Sequence, residues 1–355
     1  MAEMNIFEND AFSMMTMLAA YEKVDFKPSF LGDLNVFTPK PITGDTVYIE
    51  ERNGALNLVP STPRGSPLPQ RKTEQRTAKS FQTTRIAQGD RLTASEIAKV
   101  RAFGQTTELV AMQQEVARRM SGPLGIQSNI ELTWEHMRLG AIQGIVLDAD
   151  GSVLWNWYDA FGIAQPDIIY FDLAGALKAS PDAHGALVLR RYITSNIIRP
   201  MQRASKGMFT PQTRIYAACG DDIFDAITSH GDVARAYDIW GTKQDATDAN
   251  SFQVFPWGGV FWCNYRGTDD NSTVSVATDE VKFFPVNAPG VFVNAWGSGE
   301  SFDQVNVPGQ SLMPLIVPDR DRNQFVDLEL YSYPLMYCSR PEMLLRGTLG
   351  VAPGG

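Results

Sequence analysis

Between Leu109 and Ile145 an apolar stripe runs at helical spacing with a single interruption. A helix of that length, apolar along one side, constrains everything around it. Leu109, Met112, Val116 and Met120 recur three and four residues apart. "GPLG" at 122–125 then breaks the run, because proline removes a backbone donor and clashes with the preceding turn. The stripe resumes through Ile126, Ile130, Trp134, Met137, Ala141 and Ile145. Such a stripe has to be laid on another element. The next residues offer one: "IVLDADGSVLWNWYD", 145–159, reads as a hairpin with "DADG" as its turn. "DADGS" also resembles the start of a calcium loop, but the later ligands and the terminal glutamate are missing, so the turn is the reading adopted. Upstream, Thr93 with Glu96 three residues later resembles a capping box that opens the helical region.

The N-terminal third has a different texture. Residues 9–22 read as a short amphipathic helix with Asn9 at its N-cap. "KPSFLGDLNVFTPKPITG" follows, extended, apolar and broken by prolines, so it reads as an arm lying on something else, such as another subunit. "TVYIEERNGALNLVP", 46–60, reads as a hairpin turning at Asn53-Gly54. Residues 61–91 carry seven cations against two acids, a net of +5 in a chain whose total is −9. A long segment of this kind is either a solvated loop or an arm that pairs with an acidic neighbour.

Downstream, 185–205 reads as a helix, and "TRIYAACGDDIFDAITSH" as a strand passing into a helix. "SFQVFPWGGVFWCNYRG", "VKFFPVNAPGVFVNAW", "QFVDLELYSYPLMYC" and "PEMLLRGTL" read as β structure. Helices and strands alternate without a regular βαβ beat, and the fold class is α+β.

Charge and motifs exclude several functions. The net charge of −9 disfavours a general nucleic-acid binder. No apolar run reaches the roughly 20 residues that span a bilayer, and "MAEMNIFENDAFSMM" is acidic where a signal peptide would be basic. Cys219, Cys263 and Cys338 are widely separated and read as reduced core residues. No Walker loop, dinucleotide fingerprint, zincin motif or nucleophile elbow is present, and "WGSGES" at 296–301 reads as an exposed turn. His136, His184 and His230 are scattered. Glu131, Glu135 and His136 form the one tempting cluster, but Glu135 and His136 point about 100° apart on a helix. Arg138, three residues after Glu135, can pair with it. These residues therefore read as the polar side of the helix, with no catalytic residue, metal or cofactor expected.

Several stretches together resemble the lambda-like phage major capsid protein E family, within the Hong Kong 97-type fold. They are "FLGDLNVF", "TVYIEERNGALNLVP", "IELTWEHMRLGAIQG", "VLDADGSVLWNWYDAFGI", "FFPVNAPGVFVNAW", "VNVPGQ" and "YPLMYCSRPEMLLRGTLG". They span nearly the whole chain in family order, and the likeness rests on that order more than on any one motif. The resemblance implies an N-terminal arm over 1–45 and an E-loop over 46–92. It implies a peripheral P domain with a spine helix over 93–159 and an axial A domain over 160–274. Returning P-domain strands would occupy 275–340, and a C-terminal strand and tail 341–355.

The function so implied is a structural one. Copies would form hexamers and pentamers of an icosahedral shell around double-stranded DNA, with a decoration protein, portal and scaffold as partners and no membrane. Assembly would take place in the host cytoplasm and the product would be the virion. An encapsulin-like compartment and a soluble oligomeric enzyme are the alternatives. Contacts between subunits are expected from Arg64, Arg71, Lys72, Arg76, Lys79 and Arg85 of the E-loop. Phe30, Leu31, Leu34, Val36 and Phe37 of the arm, exposed on a lone chain, would lie across neighbours. Ile130, Trp134, Met137 and Ala141 would seat the spine. Some relatives crosslink through a loop lysine, and Lys72 and Lys79 lie in that loop. No partnering asparagine or glutamate can be placed, and no crosslink is expected.

Overall fold

The computed structural model describes residues 30–53, 75–96, 108–122, 125–178, 188–240, 254–265, 274–322 and 324–353. The helix expected at 9–22 lies outside them, as do Arg64, Arg71, Lys72 and His184.

The first described element is a single helical turn, α1 (Phe30–Asp33), followed by β1 (Thr38–Pro41). β2 (Thr46–Asn53) pairs antiparallel with β3 (Gln75–Gln82), and β4 (Ile86–Thr93) follows directly. This corrects two expectations. The partner of β2 is β3 rather than the run that follows Asn53-Gly54 in the sequence, and Asn53 itself pairs with Gln75. Half of the polar 61–91 segment is strand rather than loop. The reason lies in Val47 and Phe81, cross-strand partners that are both buried, and in Leu92, which is buried on β4. Ile49 and Ile86 add partly buried contacts to the same core.

Two helices follow, α2 (Glu108–Ser121) and α3 (Ile126–Gln143), and "GPLG" separates them as expected. At Thr93 the backbone N–H donates to the Glu96 carboxylate at 3.0 Å, one half of the expected capping box. α3 ends at Gly144, whose φ of 82° is left-handed and whose N–H returns to Ala141 and Gly140. A side chain there would also strike the Tyr158 ring. β5 (Ile145–Leu147) and β6 (Val153–Asn156) form the expected hairpin. Asn156 then caps α4 (Trp157–Phe161) through its side-chain oxygen.

The following strands build a six-stranded sheet in the order β7-β16-β11-β8-β10-β9. Its members are β7 (Ile169–Phe171), β8 (Arg214–Cys219), β9 (Val254–Trp257), β10 (Val260–Asn264), β11 (Glu280–Val286) and β16 (Leu345–Leu349). The helix expected at 185–205 is α5 (Val188–Ile193) and α6 (Arg199–Ala204), joined by a π-helical turn at Thr194–Ile198. Pro200 accounts for the irregular turn, since it cannot donate to the carbonyl one turn back. α7 (Asp221–Thr228) and α8 (Gly231–Trp240) complete the layer.

Two smaller sheets carry the return. β12 (Phe292–Trp296) lies between β1 and β15 (Pro334–Cys338), and β14 (Phe325–Ser332) lies between β13 (Met313–Pro318) and β4. β11, although it follows residue 275, belongs to the six-stranded sheet.

Two apolar cores result. One surrounds the six-stranded sheet and includes Phe171, Trp262 and Phe283 in mutual edge and tilted contacts. The other lies between α3 and the sheet of β1, β12 and β15, and draws in Val47, Phe81 and Trp157. Cys219, Cys263 and Cys338 are free and fully buried. Burial pushes all three thiols up, Cys338 to about 12. Among the described residues no helix is long and apolar enough to cross a membrane.

Candidate functional site

α3 is the element on which both cores meet. One side presents Ile130, Trp134, Met137 and Ala141, all buried in the second core. Trp134 meets Trp296 edge-on at 4.9 Å and donates from Nε1 to the buried Ser332 hydroxyl at 3.2 Å. The other side presents Leu132, Leu139 and Ile142 to the first core. Glu135 lies on that second face, only 2% exposed.

The reading of Glu135 as part of a polar outer side is therefore overturned. Its Oε1 accepts from the backbone N–H of Leu31 at 2.8 Å and from the Tyr265 hydroxyl at 3.1 Å. Its Oε2 accepts from Arg138 at 3.2 Å, the pairing expected from spacing. Burial, and then the Glu135 carboxylate, push the Tyr265 hydroxyl well up, which keeps it a donor. One carboxylate thus ties the arm, the spine and the six-stranded sheet together. A signal was present in the sequence: Leu132, Glu135, Leu139 and Ile142 recur at spacings of three and four, with a glutamate inside an apolar stripe.

Glu131 and His136 do not join it. Glu131 accepts from Gln127 one turn earlier at 2.6 Å, and the buried Nε2 of His136 has no hydrogen-bond partner among the described residues. His230, between α7 and α8, is buried. Its Nδ1 accepts from the Asp232 N–H at the start of α8, and its Nε2 meets the Leu177 carbonyl at 2.9 Å. Since a carbonyl only accepts, Nε2 carries the hydrogen. Among the described residues no three His, Cys, Asp or Glu side chains gather as a metal site.

The arm departs from expectation. Leu31 is 0% exposed and Val36 is buried, while Phe30, Leu34 and Phe37 pack against the same core. Phe30 meets Tyr265 at 5.9 Å and Phe37 meets Phe292 at 5.2 Å. A lone chain therefore covers these side chains itself. α1 provides the means, since its turn points Leu31 inward while Glu135 holds its N–H.

Several loop cations also find partners within the chain. Lys79 donates to the Ala160 carbonyl and lies 5.8 Å from the Phe161 ring centre. Arg85 pairs with Glu300 at 3.2 Å and lies over Tyr331, and the glutamate raises its already high pKa. Arg91 grips Asp327 at 2.6 and 3.0 Å. Arg76 lies in β3, with its side chain outside the described residues. Some large apolar side chains also stand exposed, among them Tyr48 on β2, Leu315 and Val317 on the edge strand β13, and Phe302, fully exposed in the turn after β12.

The family model for phage major capsid protein E matches residues 13–349. The major capsid protein of Salmonella phage Felix O1 (isolate Felix O1-VT1) is 24% identical over 369 residues, covering 95% of this chain and 96% of the relative. Among solved structures, the capsid of cyanophage P-SCSP1u superposes with a TM-score of 0.53 at 9% identity, covering 93% of this chain and 90% of that one. The mature capsid of bacteriophage PhiM1 gives 0.52 at 10% identity, covering 93% and 89%. These likenesses fix the fold as the Hong Kong 97 type. With an α+β fold of that type and a family match running from the arm to β16, the chain belongs to the phage major capsid protein E family.

Proposed function

We propose that this major capsid protein closes, as hexamers and pentamers of one repeated chain, into an icosahedral shell around double-stranded DNA. The match of the family model over residues 13–349 carries the reading. In this proposal the six-stranded sheet and its helices form the axial domain. α3 with the sheets of β12 and β14 forms the peripheral one, and β2 with β3 forms the E-loop that reaches a neighbour. Arg64, Arg71, Lys72 and Arg76 are the loop cations assigned to that reach. Lys79 and Arg85 serve it indirectly, by fixing the base of the hairpin through Ala160 and Glu300. The arm acts in the same way: Phe30, Leu31, Leu34, Val36 and Phe37 seat it on its own subunit, so that the residues before it leave from a fixed point.

A ring of head-to-tail contacts closes by symmetry, and charge complementarity sets register between neighbours. The chain's net charge of −9 suits containing DNA rather than gripping it, because a basic lining would bind it tightly in a salt-dependent way. A decoration protein, portal and scaffold complete the proposed set of partners, with assembly in the host cytoplasm.

Electron microscopy of the purified protein tests the reading. Icosahedral particles are expected, containing DNA when made during infection. Protein cargo inside such particles would point to a compartment instead, and small rings or monomers alone would refute a shell. Replacing residues 57–71 with a short flexible linker spares every described strand and should abolish stable particles. Normal particles from that variant would remove the loop's role.

A further inference from the structure

Two cations face each other across the six-stranded sheet. Lys282 on β11 stands directly opposite Arg346 on β16. Residues directly opposite in an antiparallel pair share a face, and like charges so placed destabilise the pair. Lys282, 11% exposed, is compensated by Glu280 two residues away on the same strand. Arg346 is not. Its Nε is buried without a hydrogen-bond partner, and among the described residues its guanidinium forms no ion pair. A buried donor left unpaired is costly, and more so when it is charged.

The surroundings are those of a binding site. Lys282 and Arg346 line a cavity of about 90 Å³ with Gln143, Tyr158 and Gln165. Side-chain amides and a hydroxyl can all donate hydrogen bonds. Burial raises the Tyr158 pKa, which leaves its hydroxyl a neutral donor. The cavity holds several water-sized groups, enough for a carboxylate or a phosphate. It carries two cations and no carboxylate in its lining, although the chain as a whole is acidic. The cations also face the C-terminal end of α3, whose partial negative charge is favourable to them. That field is diffuse, fades within one turn and supplies no acceptor to Nε. Arginine's planar fork is matched by a two-oxygen anion.

We propose that this cavity is an oxyanion site, in which Arg346 and Lys282 bind a carboxylate or phosphate group and thereby relieve their own repulsion. The site stands on the geometry of the subunit alone and does not depend on the shell. Its anion could be an acidic side chain of a second copy or a free phosphate, and the two sources are separable.

The test is thermal unfolding of the unassembled full-length protein in phosphate and in chloride, at equal pH and ionic strength. Phosphate should raise Tm by a few degrees over chloride. Arg346→Gln should lose that increment while unfolding no earlier than wild type in chloride, because it removes a repulsion. Arg346→Lys, which keeps charge but not the fork, should retain only part of it. In assembled particles, cryo-microscopy density running from the cavity to an Asp or Glu of the next copy, with no phosphate response, assigns the anion to a neighbour. Isolated density with the response retained assigns it to free phosphate. Equal increments in wild type and Arg346→Gln overturn the site. So does a wild-type protein that ignores phosphate both as subunits and as particles, with the cavity empty of anion density.

Discussion

Consecutive helices of this protein use the same pair of residues at the same spacing to different ends. On α2, Glu115 accepts from Arg118 at 2.6 and 2.9 Å and from Arg119 at 2.8 Å. Arg119 in turn reaches Asp90 and Glu96, closing a network over the end of β4. Arg118 is mostly in solvent, while Glu115 and Arg119 are largely covered. On α3, Glu135 and Arg138 also stand three apart, but there the carboxylate takes two more donors from distant parts of the chain. Spacing alone makes the two pairs look equivalent. The further partners decide that the first is a network at one corner and the second a joint between segments 104 and 130 residues apart in sequence. Water screens Arg118, whereas Glu115 with Arg119 and Glu135 with Arg138 are covered to a similar degree.

The largest expected effect falls on the buried pair. Glu135→Leu leaves the Leu31 N–H, the Tyr265 hydroxyl and Arg138 without their acceptor. It should cost about 3–5 kcal/mol of stability in chemical denaturation of the unassembled protein. Glu135→Gln keeps an acceptor oxygen and should cost less. A loss below about 1 kcal/mol for the leucine variant would show that the two pairs are alike after all.

The Glu115 network should respond to acid in a defined direction. Arg118, chiefly, and Arg119 hold the Glu115 carboxyl down to about 2, against an ordinary value near 4.5. A depressed pKa contributes stability that is fully present above the unfolded value and is lost as pH falls through the folded one. Wild type should therefore unfold at higher temperature than Glu115→Gln at neutral pH, by about 1 kcal/mol once solvent screening of Arg118 is allowed for. That lead should shrink steadily between pH 5 and pH 2. A constant lead across the range would assign the effect to packing.

The smallest effect belongs to Arg85 and Glu300, both more than half exposed. Arg85→Ala should change stability by no more than about 0.5 kcal/mol, and added salt should erase the difference. A larger, salt-resistant loss would place this pair with Glu135 instead.

Much of the fold was legible because periodicity reports burial. The stripe of Ile130, Trp134, Met137 and Ala141, the break at "GPLG", the hairpin at "DADG" and the strand-to-helix passage at Arg214–Thr228 each carry a local pattern. Asn53-Gly54 misled for the opposite reason: it is a strong local turn signal, and a distant strand anchored by Phe81 won the pairing. The arm's apolar residues looked unable to bury themselves because their cover, Glu135, Tyr265 and Phe292, comes from three later segments.

By itself the sequence determined the α+β class, the spine and its first apolar face, the element order and the family resemblance. These follow from spacing, turn chemistry and the order of motifs, which need only neighbours along the chain. Only the tertiary structure decided that the arm is seated on its own subunit, that Glu135 is a joint, and that Arg346 lies across from Lys282 without a counter-charge among the described residues. Each of these depends on which distant segments share a desolvated space. A carboxylate or guanidinium has no fixed meaning until its burial and its partners are set.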